Sequence, residues 1–169
     1  MPSMPETDYI LFDAGMFIGA LLQGDPRHTE AYALVESARR GELAVCTTGG
    51  ILSEVYAALT WAQARPPHSP EEAAEAVRLL VEAPSAIKIL DTGAKASFKM
   101  LKLVVAHHLT ARRVHDARHA ATALAANVTC VYTYDVTDWR VFAGDGLKIV
   151  GPPSVLAGIP STQQASSLR

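Results

Sequence analysis

The 169-residue sequence predicts a three-layer α/β/α fold in which helices cover both faces of a central, mostly parallel sheet. Short apolar runs alternate with longer stretches of helical periodicity, which is typical of parallel sheets because a helix joins each strand to the next. Hydrophobic residues make up 49% of the chain and charged residues 19%, which is enough for one buried core. We therefore predict a single domain over residues 1–157, followed by a polar tail over 158–169.

The first half of the chain predicts two strands and four helices. Gly24–Pro26 separates the first two helices, and Gly41 closes the second of them. Thr47–Gly50 supplies a turn before the third helix, whereas Ser69 and Pro70 are the N-cap and first residue of the fourth. In order, the elements are the strand Tyr9–Phe12, the helices Met16–Leu22 and Arg27–Arg40, the strand Leu43–Cys46, and the helices Ile51–Ala64 and Glu71–Glu82.

The second half predicts three strands and two long helices. The last long helix is rich in alanine, which allows close packing on the sheet, and Asn127 can end it. Asp138 can cap a further short helix through Trp139 and Phe142. The elements are the strand Ala86–Leu90, the helices Ala94–Leu109 and His115–Ala126, and the strands Val128–Tyr134 and Leu147–Val150.

Four acidic residues stand where a strand pattern ends or a helix pattern begins. Asp13 and Asp135 each follow a strand directly, whereas Glu54 and Asp116 lie near the start of a helix. Because the carboxyl ends of parallel strands share one crevice, these acids can converge there. Two like charges about 4 Å apart repel by about 4 kcal/mol at an effective dielectric constant near 20. A divalent cation removes that repulsion, and all-oxygen ligands suit Mg²⁺ or Mn²⁺ with a phosphodiester as substrate.

Each acid also has a purely structural explanation. An acid in a first helical turn complements the helix dipole, worth about 0.3 to 1 kcal/mol, and this explanation applies most strongly to Asp116. For Glu54 the capping-box explanation is excluded, because Ile51 three residues earlier has no side-chain acceptor. Asp135 and Asp138 compete for one role, and Asp135 is preferred because it follows its strand directly.

The charge distribution is uneven although the formal net charge is only -2. Between residues 87 and 118 there are seven basic and two acidic side chains, an excess of five positive charges. Lys95, Lys99 and Lys102 recur at helical spacing, so they form either a functional basic face or an ordinary solvated helix face. The sequence has no glycine-rich phosphate-binding motif of the GxGxxG or GxxxxGK[ST] kind.

The expected compartment is the cytoplasm. The two cysteines, Cys46 and Cys130, lie in apolar strand-like runs, so neither a disulfide framework nor a cysteine zinc site is indicated. Residues 1–8 contain acids and no basic residue, and the apolar run that follows is too short to span a bilayer. We expect no membrane association.

Four fragments in order carry a resemblance to a known family. They are Ile10–Asp13, Ile51–Val55, His115–Ala123 and Val131–Asp135. Together they resemble the PIN-domain ribonucleases, most of all the VapC toxins of toxin-antitoxin pairs. The resemblance implies metal-dependent endonucleolytic cleavage of RNA that leaves a 5′-phosphate and a 3′-hydroxyl. By the same resemblance, Asp13 and Asp116 are the main Mg²⁺ ligands, and Glu54 and Asp135 complete the site.

The resemblance also implies two protein partners, a second copy of the chain and a VapB-like antitoxin whose peptide occupies the groove. The candidate contacts for RNA phosphates are four basic side chains, Arg112, Arg113, Arg118 and Lys99. The chain departs from the family at Gly15, where many relatives carry Ser, Thr or Asn to hold the acidic site. The Thr133 hydroxyl or a water would then hold a neighbouring carboxylate.

Three other functions remain open at this stage. His115 and His119 lie four residues apart, a spacing that allows two zinc ligands on one helix face. The pair His115 and Asp116 is also similar to the HD-type metal phosphohydrolases, whose fold is all-helical. A degenerate PIN module would bind RNA or protein without cleaving it.

Overall fold

The computed structural model describes residues 8–157, so the polar tail predicted over 158–169 lies outside the described residues. Five strands form one sheet in the order β3-β2-β1-β4-β5, and every neighbouring pair is parallel. The α/β/α fold prediction is confirmed. The strands are β1 Ile10–Phe12, β2 Val45–Thr48, β3 Lys88–Leu90, β4 Cys130–Tyr132 and β5 Lys148–Val150.

Helices connect consecutive strands, as parallel pairing requires. Most bounds fall within a few residues of the predicted ones. The helices are α1 Ala14–Leu21, α2 His28–Arg39, α3 Gly49–Thr60, α4 Pro70–Val81, α5 Ala94–Ala106, α6 Arg113–Ala125, α7 Val136–Trp139, a 3₁₀ helix over Arg140–Asp145, and α8 Pro153–Ala157.

Local chemistry explains the boundaries that the sequence predicted well. The Ser69 side chain accepts a hydrogen bond from the Glu72 N–H while the Glu72 carboxylate accepts one from the Ser69 N–H, a complete capping box that starts α4. Gly41, just past α2, has φ +77°, and Asn127, just past α6, has φ +58°. Both residues tolerate this left-handed conformation better than most, so the two helices end there.

Three boundary predictions were wrong. Thr47 and Thr48 belong to β2 rather than to a turn, and α3 begins at Gly49 because the Thr48 hydroxyl caps it by accepting from the Ile51 N–H at 3.1 Å. Glu54 consequently lies in the second turn of α3. Asp138 lies inside α7 and does not cap a helix.

The third wrong boundary is at the C-terminal end of the described chain. The sequence predicts no element after the strand Leu147–Val150, but Pro153 begins α8, a position where proline's fixed φ suits a helix.

The sheet topology creates a crevice beside β1. The chain leaves β1 towards β2 on one side, and β4 pairs on the other side, with Ile10 in register with both Val45 and Cys130. A change of strand order of this kind separates the connections at the carboxyl ends of the strands, where ligands of α/β proteins bind. The segments that follow β1, β2 and β4 therefore meet at this edge.

The core lies on both sides of β1 and its neighbours. Leu11, Phe12, Phe17 and Val131 have at most 1% of their surface exposed. Cys46 is buried and Cys130 is partly buried, and both are free thiols, as the sequence predicts. Among residues 8–157, no helix is long and apolar enough to cross a bilayer.

Candidate active site

Asp13 stands at the carboxyl end of β1 and is the N-cap of α1. Its Oδ1 accepts a hydrogen bond from the Ala14 N–H at 2.8 Å. Its Oδ2 accepts two more, from the Thr133 hydroxyl at 2.9 Å and from the Trp139 indole N–H at 3.1 Å. Because only 5% of Asp13 is exposed, these three donors fix the orientation of a nearly buried carboxylate.

Burial raises the pKa of Asp13 above its usual value, although the hydrogen bonds from Ala14 and Thr133 act in the opposite direction. The electrostatic interaction with His119 also lowers the pKa of Asp13, whereas the charge of Glu54 raises it. Asp13 is therefore a carboxylate that the fold holds in place at an electrostatic cost. A cation placed beside it would offset that cost.

Glu54 reaches the site from the second turn of α3. Its Oε1 lies 2.9 Å from Nε2 of His119, which projects from α6 and is 1% exposed. The other ring nitrogen, Nδ1, lies 3.2 Å from the hydroxyl of Thr48, the N-cap of α3. Both nitrogens of the imidazole are thus engaged, and when Thr48 donates to Nδ1 the Nε2 proton is directed at Glu54. The His119 N–H thus gives the Glu54 carboxylate the hydrogen-bond donor that it needs next to the buried Val55.

Gly50 makes the approach of His119 possible. A β-carbon at position 50 would lie 2.9 Å from Cε1 of the imidazole and 3.2 Å from Nη1 of Arg118. Since real β-carbons do not approach this closely, any other residue would force the His119 ring or the backbone of α3 to shift. The Arg118 guanidinium lies over the same glycine.

Asp116 projects from the first turn of α6 and is half-buried. Burial, followed by the charge of Asp13, raises its pKa to about 6, whereas Arg113 and His119 lower it and Glu54 raises it. The Arg113 Nε lies 3.3 Å from Oδ2 of Asp116, an ion-pair separation, but its N–H is not aligned for a hydrogen bond. Asp13, Glu54 and Asp116 are therefore near enough to repel one another.

The two candidates for the fourth acid lie at the surface. Asp135 follows β4, and its backbone N–H donates to the Thr133 hydroxyl, which in turn donates to Asp13. The carboxylate of Asp138 is 57% exposed and lies 3.7 Å from Nη1 of Arg113. Asp135 is connected to the buried acid through one side chain, whereas Asp138 is connected to Arg113.

The predicted RNA-contacting side chains occupy different environments. Arg112 is exposed at the start of α6, and Lys99 is partly buried on α5. Arg113 is engaged with two acids and donates to the Asp138 carbonyl at 2.8 Å. Arg113 thus braces the acidic cluster in addition to any contact with RNA.

The sequence did not indicate two of the residues that shape this site. Trp139 binds Asp13 across 126 positions of sequence, and His119 binds Glu54 across 65. The sequence indicates a role for His119 only as a zinc ligand together with His115. The structure does not favour that pairing, because both nitrogens of the buried His119 already have protein partners whereas His115 is exposed. The five-stranded sheet likewise excludes the all-helical HD-type fold.

The three carboxylates suit a hard divalent cation by their chemistry, since they are oxygen donors in a partly desolvated place, where the charge of Glu54 raises the pKa of Asp13 and of Asp116. Each is presently held by protein groups: Asp13 by three donors, Glu54 by His119 and Asp116 by Arg113. In the part of the chain that the structure describes, no three His, Cys, Asp or Glu side chains lie at the mutual separations of a formed metal site. Cation binding would therefore replace some of these protein contacts.

Comparison with known proteins identifies the family. A model of the PIN domain matches residues 10–143, which include the elements from β1 to the 3₁₀ helix. The chain belongs to the PIN-domain family. The matched part contains all four predicted acids, so the family assignment and the acidic crevice concern the same portion of the molecule. A search of curated proteins found no match.

Two solved PIN-domain structures show the same fold. VapC20 of Mycobacterium tuberculosis, a toxin that cleaves the sarcin-ricin loop, is 20% identical; the match covers 82% of this chain and 95% of VapC20, with a TM-score of 0.61. VapBC2 of Rickettsia felis, bound to a DNA fragment from its promoter, is 15% identical; the match covers 85% of this chain and 98% of the other, also with a TM-score of 0.61. At these identities the likeness establishes the fold.

Proposed function

We propose that this PIN-domain protein is a Mg²⁺-dependent endoribonuclease and the toxin of a type II toxin-antitoxin pair. The observation that carries the proposal is the cluster of Asp13, Glu54 and Asp116. These acids come from three distant segments of the chain, and their negative charges repel one another at the carboxyl edge of the sheet. A fold gains nothing in stability from such a cluster. A function that needs negative charge at this place accounts for it.

The substrate and the partners follow from the relatives. VapC20 cleaves an RNA loop, which supports RNA as the substrate of this chain. VapBC2 combines a VapC toxin with its VapB partner, which supports a VapB-like antitoxin that covers the acidic groove. We further propose that the protein acts in the cytoplasm as a homodimer.

In this proposal Asp13 and Asp116 are the main ligands of the cation, and Glu54 and Asp135 complete the site, partly through water. When bound, Mg²⁺ or Mn²⁺ supplies a water of lowered pKa and neutralises charge on a phosphate. Mg²⁺ characteristically uses one or two carboxylates and keeps several waters, so two direct ligands suffice. The four acids need not all touch the ion.

The remaining side chains act by holding these acids. Thr133 and Trp139 donate to the same oxygen of Asp13, which leaves its orientation little freedom. His119 holds Glu54, and Arg113 keeps a positive charge beside Asp116 until substrate arrives. Arg112, Arg118 and Lys99 are proposed to contact RNA phosphates outside the acidic cluster.

The proposal is tested by cleavage of a fluorescent single-stranded RNA in the presence of Mg²⁺ or Mn²⁺. We expect cleavage by the wild-type protein, its loss in excess EDTA, and its loss in the Asp13→Asn and Asp116→Asn variants. Glu54→Gln should also lower the rate. Full activity in EDTA, or equal activity in the variants, would sink the assignment. Tight RNA binding without cleavage under all conditions would instead support a degenerate PIN module.

A further inference from the structure

Arg27, in the turn before α2, has a guanidinium that is fixed on one edge. Its Nε donates to Oδ1 of Asp25 at 2.9 Å, and its Nη2 donates to Oδ2 of the same carboxylate at 2.8 Å. The Arg27 backbone N–H also donates to Oδ1 of Asp25 at 2.8 Å. This two-pronged contact holds the planar group in one orientation and commits two of its three nitrogens. Nη1 has no hydrogen-bond partner among residues 8–157.

The fixed guanidinium lies near Asp135, the proposed fourth acid of the site. It stacks over the Tyr134 ring, with 4.8 Å between Cζ and the ring centroid. Tyr134 stands between Thr133, which binds Asp13, and Asp135, whose charge acts on Arg27. The Tyr134 hydroxyl is itself held in place, because it donates a hydrogen bond to Oε1 of Glu30 in α2 at 2.8 Å. The platform under Arg27 is therefore rigid.

Gly15 leaves the free edge of Arg27 uncovered. The glycine lies two residues after Asp13 in the first turn of α1, and a β-carbon there would lie 3.4 Å from Nη1 of Arg27. A β-carbon alone would be in van der Waals contact, but a larger side chain would extend over Nη1. The side chain of Arg27 is 36% exposed, so the free N–H groups can be reached from solvent.

A purely structural role explains only part of this arrangement. The contact with Asp25 and the stacking on Tyr134 stabilise the turn between α1 and α2. They do not require that Nη1 stay without a protein partner beside Gly15, two residues after Asp13. An anionic strand approaching three carboxylates is repelled, and a fixed guanidinium at the rim offsets that repulsion where the backbone must pass.

We propose that Arg27 binds a phosphate oxygen of the RNA strand through Nη1, and that Gly15 keeps this contact open. The inference rests on the proposed ribonuclease function and adds to it a binding residue from the α1–α2 turn. The ligand is a nucleic-acid phosphate, for which an arginine held by a carboxylate is well suited because its donors keep a fixed geometry.

The test measures binding of a single-stranded RNA in the Asp116→Asn background, where cleavage does not interfere. Arg27→Met should weaken binding by about tenfold and reduce the slope of log affinity against log salt by about 0.7, the value for one phosphate contact on a single strand. The matched control is Arg40→Met. Arg40 forms the same kind of contact with Glu42, two residues away, but at the opposite end of α2. Its loss should change neither affinity nor slope.

Two further measurements separate this role from a structural one. Thermal unfolding identifies the temperature range in which the Arg27→Met variant is folded, and binding is measured within it. Gly15→Val keeps Arg27 but covers Nη1, so it should weaken RNA binding in the otherwise unchanged protein and have little further effect beside Arg27→Met. If Arg27→Met does not fold, the RNA affinity of the Gly15→Val variant alone tests the role of Arg27.

Unchanged affinity and salt slope in Arg27→Met, or in Gly15→Val, would overturn the proposal for Arg27. That result leaves the ribonuclease proposal intact as long as the wild-type protein cleaves RNA. If the wild-type protein neither binds nor cleaves single-stranded RNA, the proposed function fails, and the role of Arg27 fails with it.

Discussion

Replacing Asp116 by asparagine is expected to abolish RNA cleavage and, at pH 7.5, to make the protein more stable. Loss of a main metal ligand should remove about 4 kcal/mol of transition-state stabilisation, which corresponds to about a thousandfold in rate. Stability should rise because burial and the charge of Asp13 raise the pKa of Asp116 from 3.8 to about 6. The charged form is therefore unfavourable in the folded protein, and asparagine removes the charge.

The pH dependence of this gain has a definite sign. Because the folded-state pKa is the higher one, the unfolded chain loses the Asp116 proton first as the pH rises. The destabilisation is absent below about pH 4, grows between about pH 4 and 6, and is complete above that range. After a discount for the 27% exposure of the side chain, we expect a gain of about 1 to 2 kcal/mol above pH 6.

Urea unfolding of both proteins between pH 4 and pH 8, in EDTA, measures the effect. The control is Asp138→Asn, the same substitution at an exposed acid that also lies near Arg113. It should change the unfolding free energy by less than about 0.5 kcal/mol at any of these pH values. A difference between wild type and Asp116→Asn that does not vary with pH would contradict the electrostatic account of the cluster.

Trp139→Ala is expected to have the largest effect on stability. The indole is fully buried and packs edge-on against Phe142, with ring centroids 5.7 Å apart. Truncation of a buried aromatic side chain costs about 3 to 5 kcal/mol, a large share of the 5 to 15 kcal/mol typical of a folded domain. The buried Asp13 carboxylate also loses one of its three donors.

Denaturant unfolding followed by circular dichroism measures this loss. Trp61 provides the matched control, because it is the other tryptophan of the chain and is 59% exposed. Trp61→Ala should cost less than about 1 kcal/mol. Trp139→Phe should cost about 1 to 2 kcal/mol, because it keeps one aromatic ring but removes the pyrrole ring, whose N–H donates to Asp13. Equal losses for Trp139→Ala and Trp61→Ala would contradict the placement of Trp139 in the core.

The sequence was sufficient for the fold because its local and global signals agree. Strand-like runs alternate with helical patterns, which predicts a parallel sheet covered by helices, whereas the order of the strands is known only from the structure. Asp13 follows β1 directly in the structure, as predicted, whereas β4 ends at Tyr132 and Asp135 is the third residue beyond it. The predicted contact of the Thr133 hydroxyl with a neighbouring carboxylate is also present in the structure.

The contacts that hold the acids could not be predicted from the sequence, for a physical reason. The bond between His119 and Glu54 depends on how closely α6 approaches α3, and the absence of a β-carbon at Gly50 leaves room for the His119 ring. Nothing in the periodicity of either helix reveals it. The indole of Trp139 reaches Asp13 because only three residues separate the end of β4 from the start of α7. A sequence pattern reports which residues share a face, but the distance between two faces is a property of packing.

The start of α3 illustrates a smaller failure of the same kind. Two glycines in succession favour a turn, so the sequence predicts a turn over Thr47–Gly50. In the folded protein the sheet extends through Thr48, because Thr47 and Thr48 pair with Ile89 and Leu90 of β3. Pairing with a neighbouring strand overrode the local preference for a turn.

The acidic crevice as a divalent-cation site is the central claim, and direct binding of Mn²⁺ tests it without any substrate. Electron paramagnetic resonance of free Mn²⁺, titrated with protein, gives the bound fraction. We expect the wild-type protein to bind Mn²⁺, Mg²⁺ to displace it, and Asp13→Asn and Asp116→Asn to lose the binding while Asp138→Asn retains it. Equal Mn²⁺ binding by the wild-type protein and Asp13→Asn, or no binding by either, would contradict the account.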